Sequence, residues 1–306
     1  MIKRALKKIV LAGIGFFFAV PPLCIQASTP MYFCMAADEE YFSRLVNLIG
    51  SIHRVNFDET VAIAVYDLGF TQAQRAELNR IAKVQVYDIE MTNSDLLTYF
   101  MARKRTAGEP QGRKARGWYM WKPVAIKQAL DMFPYVLYID AGITVNNKLD
   151  RLFEHVKQNG CFFVDTGSYS IRWMSTKFVV KTLQLESPAR KFVLDDRLTG
   201  LSAGFQGISK ALYQSYVLPI YEHTRDTRFF VDDGTSPTGF GDGRSDQTLF
   251  SIYARLLGLP IFQVLGGGRG ELLIDGKKVP FHLGEFISFT RNNINLSYMK
   301  QCIHYK

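Results

Sequence analysis

Three acids, Asp38, Asp67 and Asp140, each stand directly after a short apolar run. Carboxylates placed at strand ends can meet a ligand, and they can equally cap the segment that follows. Asp140 has the most room: it closes the run Tyr135-Val-Leu-Tyr-Ile139 and is followed by Ala141 and Gly142, which let a large ligand approach the backbone. Cations stand upstream of it. Residues 103–122 carry Arg103, Lys104, Arg105, Arg113, Lys114, Arg116 and Lys122 against the single acid Glu109. Gly108, Pro110 and Gly112 interrupt regular structure there, so a basic loop is expected, either solvated or ordered over a phosphate-bearing ligand. Further on, Ser245-Asp246-Gln247 opens a helical pattern; Asp246 there can cap the helix or act as a general base. No Gly-x-Ser-x-Gly or His-Glu-x-x-His occurs, so hydrolase readings lack a nucleophile or metal signature.

The elements that must position these groups alternate. Met31 to Ala37 reads as a buried strand, and Asp38-Glu39-Glu40 opens a helix to about His53 with Phe42, Leu45, Leu48 and Ile49 on one face. Val61 to Tyr66 is a second strand, Thr71 caps a helix to about Ala82, and Val84 to Ile89 is a third strand. A helix from Pro123 to about Met132 leads into the strand Tyr135–Ile139. Such alternation predicts a parallel sheet with crossover helices. Downstream the pattern is less regular: helices near 148–158, 209–218 and 246–257, and strands at Cys161–Val164 and Ile261–Val264. Asp275-Gly276 signals a hairpin within Leu272–Val279. The segment from Gly200 to Gly207 reads as a tight turn or as backbone close to an acceptor, and the glycine-rich run 266–270 as a turn in which Arg269 can touch phosphate.

Tyr119-Met-Trp-Lys-Pro123, a helix, and then Val136-Leu-Tyr-Ile-Asp-Ala-Gly142 resemble the core of glycosyltransferases of the A-type, nucleotide-diphospho-sugar transferase fold, family-8-like or related. Similar features recur in Tyr41-Phe42, Leu48–Ile52, Val65–Gly69 and Ser245-Asp246-Gln247, so the resemblance spans roughly residues 31–265. It implies one Rossmann-like α/β domain over residues 28–306, with a mostly parallel central sheet and an irregular C-terminal half. The implied activity is transfer of a sugar from a nucleotide sugar, by family analogy a UDP-sugar, onto a glycan, lipid or protein acceptor. Asp38, Arg113, Arg116, Trp121, Asp140 and Gln247 become expected donor-binding residues, and Lys122 and Asp246 the expected catalytic groups. The family motif carries a second acid where this chain has Gly142. A Mn²⁺ or Mg²⁺ ion on Asp140 would therefore be completed by Asp38, His282 or His304, with His282 the expected ligand, or cationic side chains would replace the metal. The alternative activity is that of a non-catalytic sugar- or nucleotide-binding protein. A nucleotidyltransferase is disfavoured, because Ala36-Ala37-Asp38-Glu39 is not the glycine-rich basic loop such enzymes place after the first strand.

Composition agrees with a folded chain: 306 residues, 47% hydrophobic and 21% charged, enough for a sizeable core without disulfide staples. The net charge is +9, and setting aside Lys3, Arg4, Lys7 and Lys8 leaves +5, too little for a nucleic-acid partner without a patterned patch. Those four cations precede an apolar stretch from Ile9 to Val20, and Ile25-Gln26-Ala27 offers a cleavage site. Residues 1–27 are thus expected to be an export signal or, in the rival reading, a membrane anchor interrupted by Pro21-Pro22. Either places the remainder in a secretory lumen, outside the cell or at a membrane. Cys24, Cys34, Cys161 and Cys302 form no CxxC pair, so neither a zinc site nor a disulfide framework is indicated.

Overall fold

The computed structural model describes residues 28–90, 117–239, 245–263, 268–290 and 295–306. Residues 1–27, Arg113 and Arg116 lie outside the described residues. No helix among those described is long and apolar enough to cross a membrane.

The first half follows the expected alternation. Strand β1 (Met31–Ala37) leads through an acidic turn into helix α1 (Phe42–Asn56). Strand β2 (Thr60–Asp67), helix α2 (Gln72–Arg80) and strand β3 (Val84–Asp88) follow. Thr71 starts α2 with a reciprocal cap: its side chain accepts from the Gln74 N–H, and the Gln74 side chain accepts from the Thr71 N–H. Helix α3 (Trp121–Met132) then packs beneath strand β4 (Tyr135–Ile139). Its start is two residues earlier than Pro123, so the proline sits inside the first turn, where its missing N–H costs no hydrogen bond.

Six strands form the central sheet in the order β3-β2-β1-β4-β7-β6, with β6 at Cys161–Ser170 and β7 at Thr199–Ser209. The β3/β2, β2/β1 and β1/β4 pairs are parallel, whereas β4/β7 and β7/β6 are antiparallel. The chain builds outward from β1 to β3 and then returns to the other side of β1 with β4. Such a reversal is where open α/β sheets form a ligand crevice, here at the carboxyl ends of β1 and β4.

Alternation within the strands sorts the core into two layers. Met31, Phe33 and Met35 of β1 and Tyr135, Leu137 and Ile139 of β4 face α1 and helix α4 (Asp150–Asn159). Cys34 and Ala36 of β1 and Val136 and Tyr138 of β4 face α3 and helix α5 (Ser245–Leu256). The two-residue period of a strand therefore assigns Tyr138 to the face that carries Trp121.

Several downstream expectations are corrected. The segment Gly200–Gly207 is no turn but the body of β7, between β4 and β6. Its glycines make room for neighbours: a Cβ at Gly207 would stand 2.4 Å from Val156 Cγ2, and one at Gly200 would stand 2.3 Å from Met174 Cε. In place of one helix near 209–218, short helical turns run from Lys210 to Glu222. Ile261–Val264 is reduced to a single bridge, from Phe262 to Val164, with residue 264 outside the described residues. The expected hairpin is present as β8 (Arg269–Ile274) and β9 (Lys277–His282), with Asp275 at φ 51° and Gly276 at φ 72° in the turn. A short strand β10 (Ile287–Phe289) pairs antiparallel with β5 (Ile143–Val145), just past Asp140. Cys34, Cys161 and Cys302 are free thiols.

Candidate active site

At the crevice, α3 and β4 bring two of the expected groups together. Lys122 lies in the first turn of α3, and its Nζ is 3.1 Å from both carboxylate oxygens of Asp140 at the end of β4. The same Nζ is 3.4 Å from Oδ2 of Asp246, in the first turn of α5. Lys122, Asp140 and Asp246 are 18 or more residues apart in sequence, and the sheet with its two helices places them on one ammonium. The Lys122 and Asp246 side chains are each only 5% exposed, whereas the Asp140 side chain is 39% exposed and opens to the crevice.

Burial and charge set the protonation of the group. Burial alone would depress the Lys122 ammonium, but Asp140 and Asp246 beside it outweigh that and hold it above the ordinary lysine range. Asp246 is pushed up to about 6, chiefly by burial and also by Asp140, against the opposing pull of Lys122 and the Gln247 backbone N–H. Near neutral pH the cluster therefore holds a cation between two carboxylates.

Aromatic rings surround the cation. Lys122 Nζ is 5.1 Å from the ring centre of Tyr119 and 5.6 Å from those of Trp121 and Tyr138. The Tyr138 hydroxyl donates to Asp140 Oδ1 at 2.7 Å, so both Asp140 oxygens already accept hydrogen bonds. Trp118 and Tyr119 lead into α3 with φ of 48° and 59°, a left-handed backbone that costs non-glycine residues about 1–3 kcal/mol each. Among the described residues two buried polar atoms here, Gln247 Nε2 and Trp121 Nε1, have no hydrogen-bonding partner, and Asp246 Oδ2 has only the Lys122 ammonium at 3.4 Å. Buried polar atoms are almost always satisfied, so such a group gathered at a crevice fits a polar ligand.

Other expected site residues have these partners. Asp38 accepts from the Tyr41 N–H at 3.0 Å, the capping role weighed against ligand binding. Asp67 accepts from the Gly69 and Phe70 N–H groups and pairs with Arg75 at 2.8 Å. His304 stacks on Phe57, and its carbonyl accepts from the Ala82 N–H at the amino end of β3, the opposite end of the sheet from Asp140. His282 closes β9 opposite Arg269, and its ring lies against Gly284. The strand β10 runs away from His282 toward the site, so Thr290 is the residue that reaches Gly142, donating to its carbonyl at 3.1 Å. Arg269 is exposed at the start of β8.

Tyr138 and Gly204 were not singled out from the sequence. Tyr138 had a signal in its alternation with Val136, which places both on the α3 face. Gly204 had none, because its partner is Asp140, 64 positions away in sequence.

The residues at this site do not fit the divalent ion that the resemblance implies. Gly142 has no side chain to coordinate with, both oxygens of Asp140 are engaged by Lys122 and Tyr138, and a fixed ammonium sits where a second cation would be repelled. Among the described residues, no group of three or more His, Cys, Asp or Glu side chains is gathered as a metal site requires.

No protein-family profile matches the chain, and no curated protein matches it. Among solved structures, the chain is similar to a galactosyltransferase, LgtC, in complex with donor and acceptor sugar analogs: 13% identity, 72% of this chain and 70% of that one, TM-score 0.45. It is also similar to mouse xyloside xylosyltransferase 1, at 16% identity over 76% of this chain and 84% of that one, TM-score 0.44. A third is core-mannan synthase A from Aspergillus fumigatus in its Mn/GDP form, at 10% identity over 78% and 73%, TM-score 0.46.

Proposed function

We propose that the protein is a glycosyltransferase that moves a sugar from a nucleotide-sugar donor, a UDP-sugar in the first instance, onto the hydroxyl of a glycan, lipid or protein acceptor. One observation carries the reading: Lys122 joins Asp140 and Asp246 among the rings of Tyr119, Trp121 and Tyr138 at the crevice where the strand order reverses. Carboxylates and an ammonium in fixed relation suit the hydroxyls of a pyranose, which accept and donate at once, and aromatic faces suit its C–H faces. The motif resemblance supplies the nucleotide half of the donor.

The chain's own groups account for positioning and for one proton. Lys122 donates to donor-sugar hydroxyls while holding both carboxylates in place, and Asp140, open to the crevice, accepts from them. In the transfer step the bond between the anomeric carbon and the β-phosphate oxygen breaks, and the nucleoside diphosphate leaves with the electron pair. The acceptor oxygen bonds to that carbon, and its proton passes to Asp246. A carboxylate held near 6 is ionised at neutral pH and close enough to it to take the proton effectively.

Release of nucleoside diphosphate from UDP-glucose, UDP-galactose and GDP-mannose, with and without added saccharide, tests the proposal. Turnover in the wild type that falls about a hundredfold or more in Asp246→Asn supports it. Donor binding without any turnover would give the binding-protein reading instead.

A further inference from the structure

Resting on the reading just given, we infer that the donor site works with a fixed ammonium, Lys122, in the place of a divalent ion. Three observations, independent of whether any ion is present, point the same way. At residue 142 the chain has glycine, and the Gly142 carbonyl is taken by the Thr290 N–H. Among the described residues, the hydrogen-bonded side chains beside it are hydroxyls and an amide: Thr144 and Thr290 hydroxyls lie 2.8 Å apart, and Asn47 Nδ2 donates to Thr144 at 2.9 Å. A neutral network of this kind offers a divalent ion no compensating charge.

The second observation is the cation already present. Lys122 is 5% exposed, is held from both sides by carboxylates, and has no room to swing into solvent as a surface lysine does. A dication on Asp140 would stand within a few ångströms of that ammonium, and like charges so close repel. Third, the strand pairing that brings the C-terminal region to the site delivers Thr290 to Gly142, while His282 closes β9 opposite Arg269. His304 lies at the amino end of β3, the opposite end of the sheet from Asp140.

Calorimetric titration of the full chain with UDP-glucose, UDP-galactose and GDP-mannose, each in 1 mM EDTA and in 1 mM MnCl₂, tests the inference. The expected result is a dissociation constant for at least one donor that agrees within about twofold between the two media, and that rises tenfold or more in both for Lys122→Met. Donor binding seen only with Mn²⁺ would overturn the inference and leave the proposed function standing. Binding of no nucleotide sugar in either medium would overturn both. A gain-of-function arm reads the site without a donor: Mn²⁺ alone, followed by its paramagnetic resonance, should stay free with the wild type and become bound with Gly142→Asp/Lys122→Met, which adds the acid and removes the ammonium. Wild-type protein that binds Mn²⁺ as tightly as this double variant would also overturn the inference.

Discussion

A Cβ at residue 204 would stand 2.5 Å from Asp140 Oδ2, so the carboxylate of Asp140 occupies the space that Gly204 leaves open on the neighbouring strand. The two residues are also joined through the backbone, the Asp140 N–H donating to the Gly204 carbonyl at 2.8 Å. The atom met is the end of a side chain that opens to the crevice, so Gly204→Ala should displace the carboxylate more than it strains the fold. The expected outcome is a loss of about 1 kcal/mol of stability or less, together with donor binding weakened tenfold or more. Gly207→Ala, three residues along the same strand, meets Val156 Cγ2 at 2.4 Å in the packed core and should do the reverse, costing about 1–3 kcal/mol with donor affinity retained. Urea denaturation and calorimetry on the pair check both; equal effects of the two variants on binding would refute the relationship.

Lys122 neutralises a carboxylate that water cannot reach. Removing the ammonium in Lys122→Met leaves Asp246 buried without its counter-charge, and breaking a buried pair from one side typically costs about 3–5 kcal/mol. The double variant Lys122→Met/Asp246→Asn removes the stranded charge and should recover most of that loss, a positive coupling measured by urea denaturation of the four proteins. A double variant no more stable than Lys122→Met would show that the pair contributes nothing through charge.

Tyr119 leads into α3 with φ 59° and its side chain 5.1 Å over Lys122. Tyr119→Gly relieves the left-handed backbone, worth about 1 kcal/mol, and forfeits a cation–ring contact of about 0.5–2 kcal/mol. The thermal midpoint should therefore move by only a few degrees. Donor affinity should fall, because the ring is 40% exposed and available to a sugar face. Unchanged affinity, measured calorimetrically, would remove Tyr119 from the site.

The elements whose local pattern agrees with their packing were legible from the sequence, and β1, β2, β3, β4 and α2 are where the apolar runs and the Thr71 cap place them. Lys122, Asp140 and Asp246 were singled out as well, Asp140 by its place at the end of an apolar run and Lys122 and Asp246 through the resemblance, but their meeting on one ammonium is set by the sheet and its helices. β7 was hidden for a physical reason: Gly200, Gly204 and Gly207 lower strand propensity, and each is required by a distant neighbour, Met174, Asp140 and Val156 respectively. His282 was expected near the site from its position before a glycine, whereas the register of β10 on β5 is what brings Thr290 to Gly142. Register is a tertiary property and leaves little trace in a three-residue strand.

Asp246 also fixes how stability depends on pH. Its carboxyl titrates near 6 when folded against 3.8 ordinarily, so between about pH 4 and pH 6 the folded chain keeps a proton that the unfolded chain has released. Stability from this group is therefore fully present below the ordinary value and is lost as pH rises through 6, by about 3 kcal/mol for a shift of this size. His53 acts oppositely in the same window. Burial first, then His304 and Lys83, hold it near 4 against 6.5, so the unfolded chain binds the extra proton and stability is lost as pH falls from 6.5 toward 4. In the wild type the two slopes offset each other. Asp246→Asn removes one of them, so its stability relative to the wild type should rise by about 3 kcal/mol between pH 4 and pH 6.5, read from urea midpoints at half-unit intervals. A difference between the two proteins that stays constant across that window would mean that Asp246 titrates like an ordinary surface carboxyl and that Lys122 alone governs the charge of the site.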